Sequence, residues 1–194
     1  GYLYVTLGEN GDPGLAQRLD TPLGKILRIN AADGTAPADN PFYDDGDPAS
    51  GNDDRIWAYG LRNSFDFTFH PITDEMFVTE NGPECDDEIN RIEPGGNYGW
   101  RPESSCGDPH DGFEPPLWRF PDTIALTGIA FHQGDMFVCA WNNFGFLRVE
   151  GSDGTFRELT GVETWDGVSC QTDVTPGPDG ALYVSNRESI RRVV

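Results

Sequence analysis

The feature that most limits how this chain can fold is an internal repeat. An aromatic-centred strand occurs four times, at Tyr2 to Leu7 (YLYVTL), Glu75 to Glu80 (EMFVTE), Asp135 to Ala140 (DMFVCA) and Ala181 to Asn186 (ALYVSN). Each is followed by a second strand with an apolar-x-Arg-apolar pattern: Ile26 to Ile29, Ile89 to Ile92, Phe146 to Val149 and Ile190 to Val193. Three of the four copies are preceded by a further strand and a tight turn, at Phe65 to Asp74, Thr127 to Asp135 and Thr172 to Gly180. The unit is strand, turn, strand, loop, strand. Its arginines, Arg28, Arg91, Arg148 and Arg192, are 63, 57 and 44 residues apart, near or above the roughly 40 to 50 residues of a β-propeller blade. No stretch keeps an apolar i, i+3, i+4, i+7 stripe, and the short runs of Val, Ile, Phe and Tyr are bounded by Gly, Pro, Asp and Asn. An all-β fold follows. A sandwich would also supply short strands, but it would not repeat one pattern four times. The first copy lacks its leading strand and the chain opens without Met, so about four blades of an incomplete ring, cut from a longer protein, are expected.

The repeat assigns structural duties to residues that otherwise suggest chemistry. His70 and His132 hold the same place after Phe69 and Phe131, where a strand meets its turn, and equivalence of position indicates structure. The arginines, one per unit, are expected to brace neighbouring strands. There are 33 acidic residues against 13 Lys and Arg, a net charge of −20, which disfavours nucleic acid and anionic membrane as partners and favours cations such as calcium. No apolar run approaches the roughly 20 residues of a membrane span.

Cys85, Cys106, Cys139 and Cys170 show no C-x-x-C spacing. Two disulfides suit an even count, with Cys85–Cys106 and Cys139–Cys170 the preferred pairing among three, alongside the alternative of four free thiols. Bridges would put the protein outside the cytoplasm. Four loops could carry chemistry. Gly8 to Arg18 is rich in glycine, amides and carboxylates. Arg62 and Asn63, in Tyr59 to Ser64, set planar donors side by side. Thr79 to Trp100 combines an irregular Gly82-Pro83 turn with Glu84, Asp86, Asp87 and Glu88, an oxygen-rich loop suited to calcium. Ala31 to Arg55 has seven aspartates in 25 residues but not the spacing of a calcium hand, and reads as a solvated insertion. Nothing matches a Walker loop, G-x-S-x-G or H-E-x-x-H.

Taken together, GENG, LGKILRIN, YGLRN, ENGPxCDDEINRIEPGGNYGW, DTIALTG and TDVTPGPDGALYVS resemble the soluble quinoprotein glucose and sorbosone dehydrogenase family, which includes the aldose sugar dehydrogenases. The resemblance covers nearly the whole chain. It implies that residues 1–194 are the C-terminal portion of one six-bladed propeller domain. The implied activity is oxidation of an aldose at its anomeric carbon, with hydride passing to pyrroloquinoline quinone (PQQ) over calcium and electrons going to an external acceptor. By the same resemblance Arg62 donates to the quinone oxygens with Asn63 assisting, Gln17 matches a pocket glutamine, and Gly82 and Pro83 offer carbonyls to the active-site calcium. A second, structural calcium would use Glu88, the Tyr98 carbonyl and Asp108, with Glu114 a weaker match.

Departures accompany the match. The family's general base, a histidine, precedes the strand that opens this chain. A lysine and two arginines that neutralise the cofactor's carboxylates in well-known members correspond here to Asn142, Cys170 and Thr172. The alternative function is therefore a catalytically silent propeller that binds a glycan or protein partner. Residues 1–194 on their own are expected to be inactive and, with strand edges exposed, to aggregate.

Overall fold

The computed structural model describes residues 1–142 and 145–193. Four antiparallel sheets follow one another along the chain. The first holds β1 (Tyr2–Leu7), β2 (Lys25–Asn30) and β3 (Ile56–Tyr59), with a short helix, α1 (Pro13–Ala16), between β1 and β2. The second holds β4 (Ser64–Phe69), β5 (Met76–Glu80), β6 (Cys85–Ile92) and β7 (Trp118–Asp122). The third holds β8 (Leu126–His132), β9 (Asp135–Ala140), β10 (Gly145–Gly151) and β11 (Leu159–Thr164). The fourth holds β12 (Asp173–Pro176), β13 (Leu182–Ser185) and β14 (Ile190–Val193). Within each sheet the strands pair in chain order, the up-and-down arrangement of a propeller blade. The fold is all-β, part of a β-propeller, as the repeat predicts.

The first three sheets each contain one strand more than the repeat suggests, while the fourth has the expected three. β7 and β11 are outer edge strands of the second and third sheets, and β3 is their counterpart in the first. Their sequences, WRFPD and LTGVET, carry a proline or a glycine and bury little, which edge positions tolerate.

The chain divides into two compact units, Gly1–Ser64 with Ile92–Pro115, and Phe65–Arg91 with the chain from Pro116 onward. In the first unit β2 is the buried strand, with Ile26 inaccessible and Leu27 nearly so. The Gly95 to Trp100 segment runs along β3: the Gly95 amide donates to the Trp57 carbonyl (2.7 Å), Tyr59 to Gly96 (3.0 Å), Tyr98 to Tyr59 (2.9 Å) and Trp100 to Gly60 (2.8 Å). GGNYGW thus behaves as an irregular extra strand.

In the second unit apolar faces of successive sheets pack together. Phe77 and Ile89 of the second sheet meet Leu126, Ile129, Met136 and Val138 of the third; Phe137, Cys139 and Phe146 of the third meet Val174, Leu182 and Val184 of the fourth. Hydroxyls tie these sheets as well. Thr79 Oγ1 donates to the Thr127 carbonyl (2.7 Å) and Thr127 Oγ1 to the Gln171 carbonyl (2.9 Å). Gly128 allows this approach, since a Cβ there would lie 2.6 Å from Asp173 Cα and Val174 N.

The repeated arginines brace strands as expected. Arg28 pairs with Asp39 (2.9 Å), Arg91 with Glu75 (2.9 Å), Arg148 with Asp135 and Glu163 (3.0 Å each), and Arg192 with Asp179 (2.9 Å). Buried His70 is structural too. Its Nδ1 accepts from the Ile72 and Thr73 amides (3.3 and 3.1 Å) and its ring meets Phe131 edge-on (4.8 Å between centroids). Cys139 bridges Cys170, with Cα atoms 5.1 Å apart; Cys85 and Cys106 are also disulfide-bonded, and no cysteine is free. The solvated-insertion reading of Ala31 to Arg55 needs correction. Asn40, Asp53 and Asp54 are buried, because the Asn40 amide donates to the carbonyls of Arg28 and Asp54 (2.9 Å each) and folds the insertion onto β2.

Candidate functional site

The first unit brings Gln17, Arg62 and Asn63 into one hydrogen-bonded neighbourhood. The turn after β1 is stitched to the YGLRN segment, with the Glu9 amide donating to the Arg62 carbonyl (2.9 Å), Gly60 to Ala16 (3.0 Å) and Leu61 to Gly24 (3.2 Å). Lys25, fully buried, locks the α1 end of this region: its Nζ donates to the carbonyls of Leu15 (2.9 Å), Ala16 (2.9 Å) and Leu23 (2.7 Å). Burial pushes its ammonium down to about 8, because removing a charge from water favours the neutral form.

Gln17 is held at both ends of its amide. Nε2 donates to Asn97 Oδ1 (3.0 Å) and the Trp100 carbonyl (2.8 Å), and Oε1 accepts from Asn97 Nδ2 (2.9 Å). Gly60, with φ +76°, makes room for this pair, since a Cβ there would meet both Asn97 Oδ1 and Gln17 Nε2. The Arg62 guanidinium lies over the Trp100 ring (5.8 Å). Two buried polar atoms nearby in the chain's contacts have no hydrogen-bond partner among the described residues, Trp100 Nε1 and Glu9 Oε2. A buried indole N–H in need of an acceptor is a donor suited to an anionic or carbonyl-bearing ligand.

The second unit holds the Gly82–Pro83 turn. Asp87, fully buried, pins it: Oδ1 accepts from the Gly82 amide (3.0 Å), and Oδ2 from Ile124 (2.8 Å) and Ala125 (2.6 Å). Burial raises its carboxyl above the ordinary value, and the amide hydrogen bonds oppose that. The expectation that Asp87 adds free negative charge for a cation is therefore corrected, because its oxygens are engaged by backbone. Gly82 has no space for a side chain, since a Cβ would strike the Cys85 carbonyl.

The residues named for a structural calcium are divided between the units. Glu88, in the second, accepts from Asn90 Nδ2 (3.2 Å) and faces Arg119 (3.7 Å). In the first, the Tyr98 hydroxyl accepts from the Glu93 amide (2.8 Å), and Asp108 accepts from the amide (2.9 Å) and hydroxyl (2.8 Å) of Ser105, bonds that lower its carboxyl below the ordinary value. Glu114 donates its amide to the Asn97 carbonyl (2.8 Å).

Each position that departs from the family's cations has a local partner. Asn142 Nδ2 donates to the Thr123 carbonyl (3.1 Å), Cys170 is in its disulfide, and the Thr172 and Ser185 hydroxyls lie 2.6 Å apart. The guanidinium of Arg187 stacks over Trp141 (4.5 Å), the residue before Asn142, and Trp141 accepts from Gln171 Nε2 (3.4 Å). Sequence reasoning placed Glu9 in a carboxylate-bearing loop but did not single out Asn97, Trp100 or Arg187. The N and W of GGNYGW were in view as motif letters, but Gln17, which bonds the Asn97 side chain and the Trp100 carbonyl, lies 80 and 83 positions away.

Four propeller-blade sheets define the class. The matching family model, glucose/sorbosone dehydrogenase, aligns with residues 1–193, and the chain belongs to that family. Aldose sugar dehydrogenase YliI of Escherichia coli K12 is 33% identical over 210 residues, covering 97% of this chain and 55% of the relative. The PQQ-bound aldose sugar dehydrogenase of Streptomyces coelicolor superposes with TM-score 0.78 at 26% identity, covering 98% of this chain and 57% of that one. The apo aldose sugar dehydrogenase of E. coli gives TM-score 0.74 at 30% identity, covering 99% and 59%. The chain thus spans little more than half of these relatives.

Proposed function

We propose that these residues are the C-terminal portion of a propeller domain whose whole protein oxidises an aldose at its anomeric carbon, using PQQ and calcium. Family membership and the PQQ-bound relative support this reading, and the observation that carries it is the donor array of the first unit. The first unit's residues would suit the cofactor: Trp100 Nε1, buried without an acceptor among the described residues, could donate to an anion or carbonyl, and the Arg62 guanidinium lies over the Trp100 ring. When bound, the quinone supplies a hydride acceptor and calcium a Lewis acid that polarises it.

Arg62 and Asn63 would hold the oxygens of the acceptor, and a guanidinium fixed by its stitched backbone stabilises developing negative charge without reorganising. Gln17, immobilised by Asn97 and Trp100, would orient polar groups of the bound molecules. Gly82 and Pro83 would turn carbonyls toward the active-site calcium. Arg187 would supply positive charge lacking at Asn142, Cys170 and Thr172. The two disulfides suit an extracytoplasmic location; no described helix is long and apolar enough to cross a membrane.

The local engagement of Asn142, Cys170 and Thr172 also favours a second reading, a propeller without redox activity that binds a glycan or protein through the same loops. One experiment separates them. The full-length protein is reconstituted with calcium and PQQ, cofactor binding is followed by absorbance, and aldose-dependent dye reduction is measured. Binding with turnover supports the dehydrogenase. Absence of PQQ binding at saturating calcium overturns it and leaves the binding module.

A further inference from the structure

The insertion between β2 and β3 contains a carboxylate cluster that the sugar-oxidising reading does not use. One oxygen each from Asp44, Asp45 and Asp54 lie within 4.8 Å of one another. Acidic side chains often meet on a surface as anionic as this one, and proximity alone would mean little. Asp54 is different because it is fully buried. Its Oδ1 accepts from the Asp44 amide, but its Oδ2, also buried, has no hydrogen-bond donor.

The neighbouring residue shows how this fold otherwise treats a buried carboxylate. Asp53 is 1% exposed and receives a two-pronged contact from Arg55, at 2.8 and 2.7 Å, plus the Arg55 amide at 3.2 Å. No described ion pair neutralises Asp54, Asp44 or Asp45. A buried carboxylate beside two more, without a cation, is costly. We infer that Asp44, Asp45 and Asp54 form a calcium site, with buried Asp54 as its base and exposed Asp44 and Asp45 closing over the ion from solvent. Calcium takes oxygen ligands at about 2.3 to 2.6 Å, so two ligand atoms on opposite sides of one ion are up to about 5 Å apart, which accommodates the observed spacing. Its flexible coordination also suits a surface loop better than the strict octahedron of magnesium. The site would clamp the stretch of the insertion whose Asp54 carbonyl Asn40 anchors.

The test uses calcium alone as probe, on the full-length chelator-treated protein, with Asp45→Asn as the principal variant. Asp45 is exposed and the substitution keeps its shape, so folding is preserved; Asp54→Asn is the second variant. Calorimetric titration is expected to lose one calcium equivalent, or to weaken one by at least tenfold, in each variant. Calcium should slow amide exchange across residues 42–54 of the wild type but not of Asp45→Asn. Equal calcium stoichiometry and affinity in wild type and Asp45→Asn, or exchange over 42–54 that ignores calcium, would overturn the inference. PQQ binding and turnover are read separately, so failure here is distinct from failure of the sugar-dehydrogenase reading.

Discussion

Lys25 is the only lysine in the chain, and the fold spends it on three carbonyls. Replacing it by methionine would leave those acceptors unpaired in an enclosed site. Lys25→Met is expected to lower unfolding free energy by about 2 to 4 kcal/mol at pH 7, measured by chemical denaturation. A pH dependence follows from the same burial. The folded value of about 8 lies below the ordinary 10.5, so between these the unfolded chain binds more protons and stability rises with pH. Wild type should therefore gain on Lys25→Met from pH 8 toward 10.5; a constant difference would show that the ammonium is not desolvated. Asp87 offers a second residue-scale test. Asn in its place has one acceptor oxygen for three amide donors and turns an N–H₂ toward at least one of them. Asp87→Asn should cost about 1 to 3 kcal/mol in thermal unfolding; unchanged melting would remove Asp87 from its pinning role.

Among elements, the arginine repeat shows both the reach and the limit of reading pattern from sequence. Position in the repeat identified all four residues as braces, but not how strongly each one acts. Arg28 is nearly buried, its guanidinium 4.0 Å from the Tyr2 ring centre and 4.7 Å from that of Trp57, whereas the Arg192 side chain is 58% exposed beside Asp179. Arg28→Ala should destabilise by about 2 kcal/mol, mostly through lost ring packing, while Arg192→Ala should leave denaturation curves unchanged, since exposed pairs are screened and entropically offset. Equal losses would mean that the ion pairs, not the rings, carry the effect. The outer strands β7 and β11 escaped the repeat for a related reason. They pair through backbone at a sheet edge, so little apolar periodicity is demanded of their side chains.

For the molecule as a whole, two opposing surface properties determine behaviour in solution. A net charge of −20 repels other copies, yet β1 is an edge strand of its sheet and exposes Tyr2, Leu3 and Val5, a template for strand addition. Salt screens the repulsion and leaves the edge intact. Residues 1–194 alone should therefore self-associate increasingly as salt is raised, and Leu3→Lys with Val5→Lys should suppress it; light scattering that is flat with salt would show that the edge is not the cause. What the sequence by itself determined was the all-β class, the repeat and its braces, the structural histidine at 70 and the family. Those depend on alternation, turn residues and local pairing, which the order of residues carries directly. Only the tertiary structure decided that Gln17 meets Asn97 and Trp100, that Asp87 serves backbone amides, and that Asp53 and Asp54, adjacent in the chain, receive an arginine in one case and two further carboxylates in the other. Burial and charge pairing depend on which distant segments arrive beside a residue, and spacing along the chain does not record that.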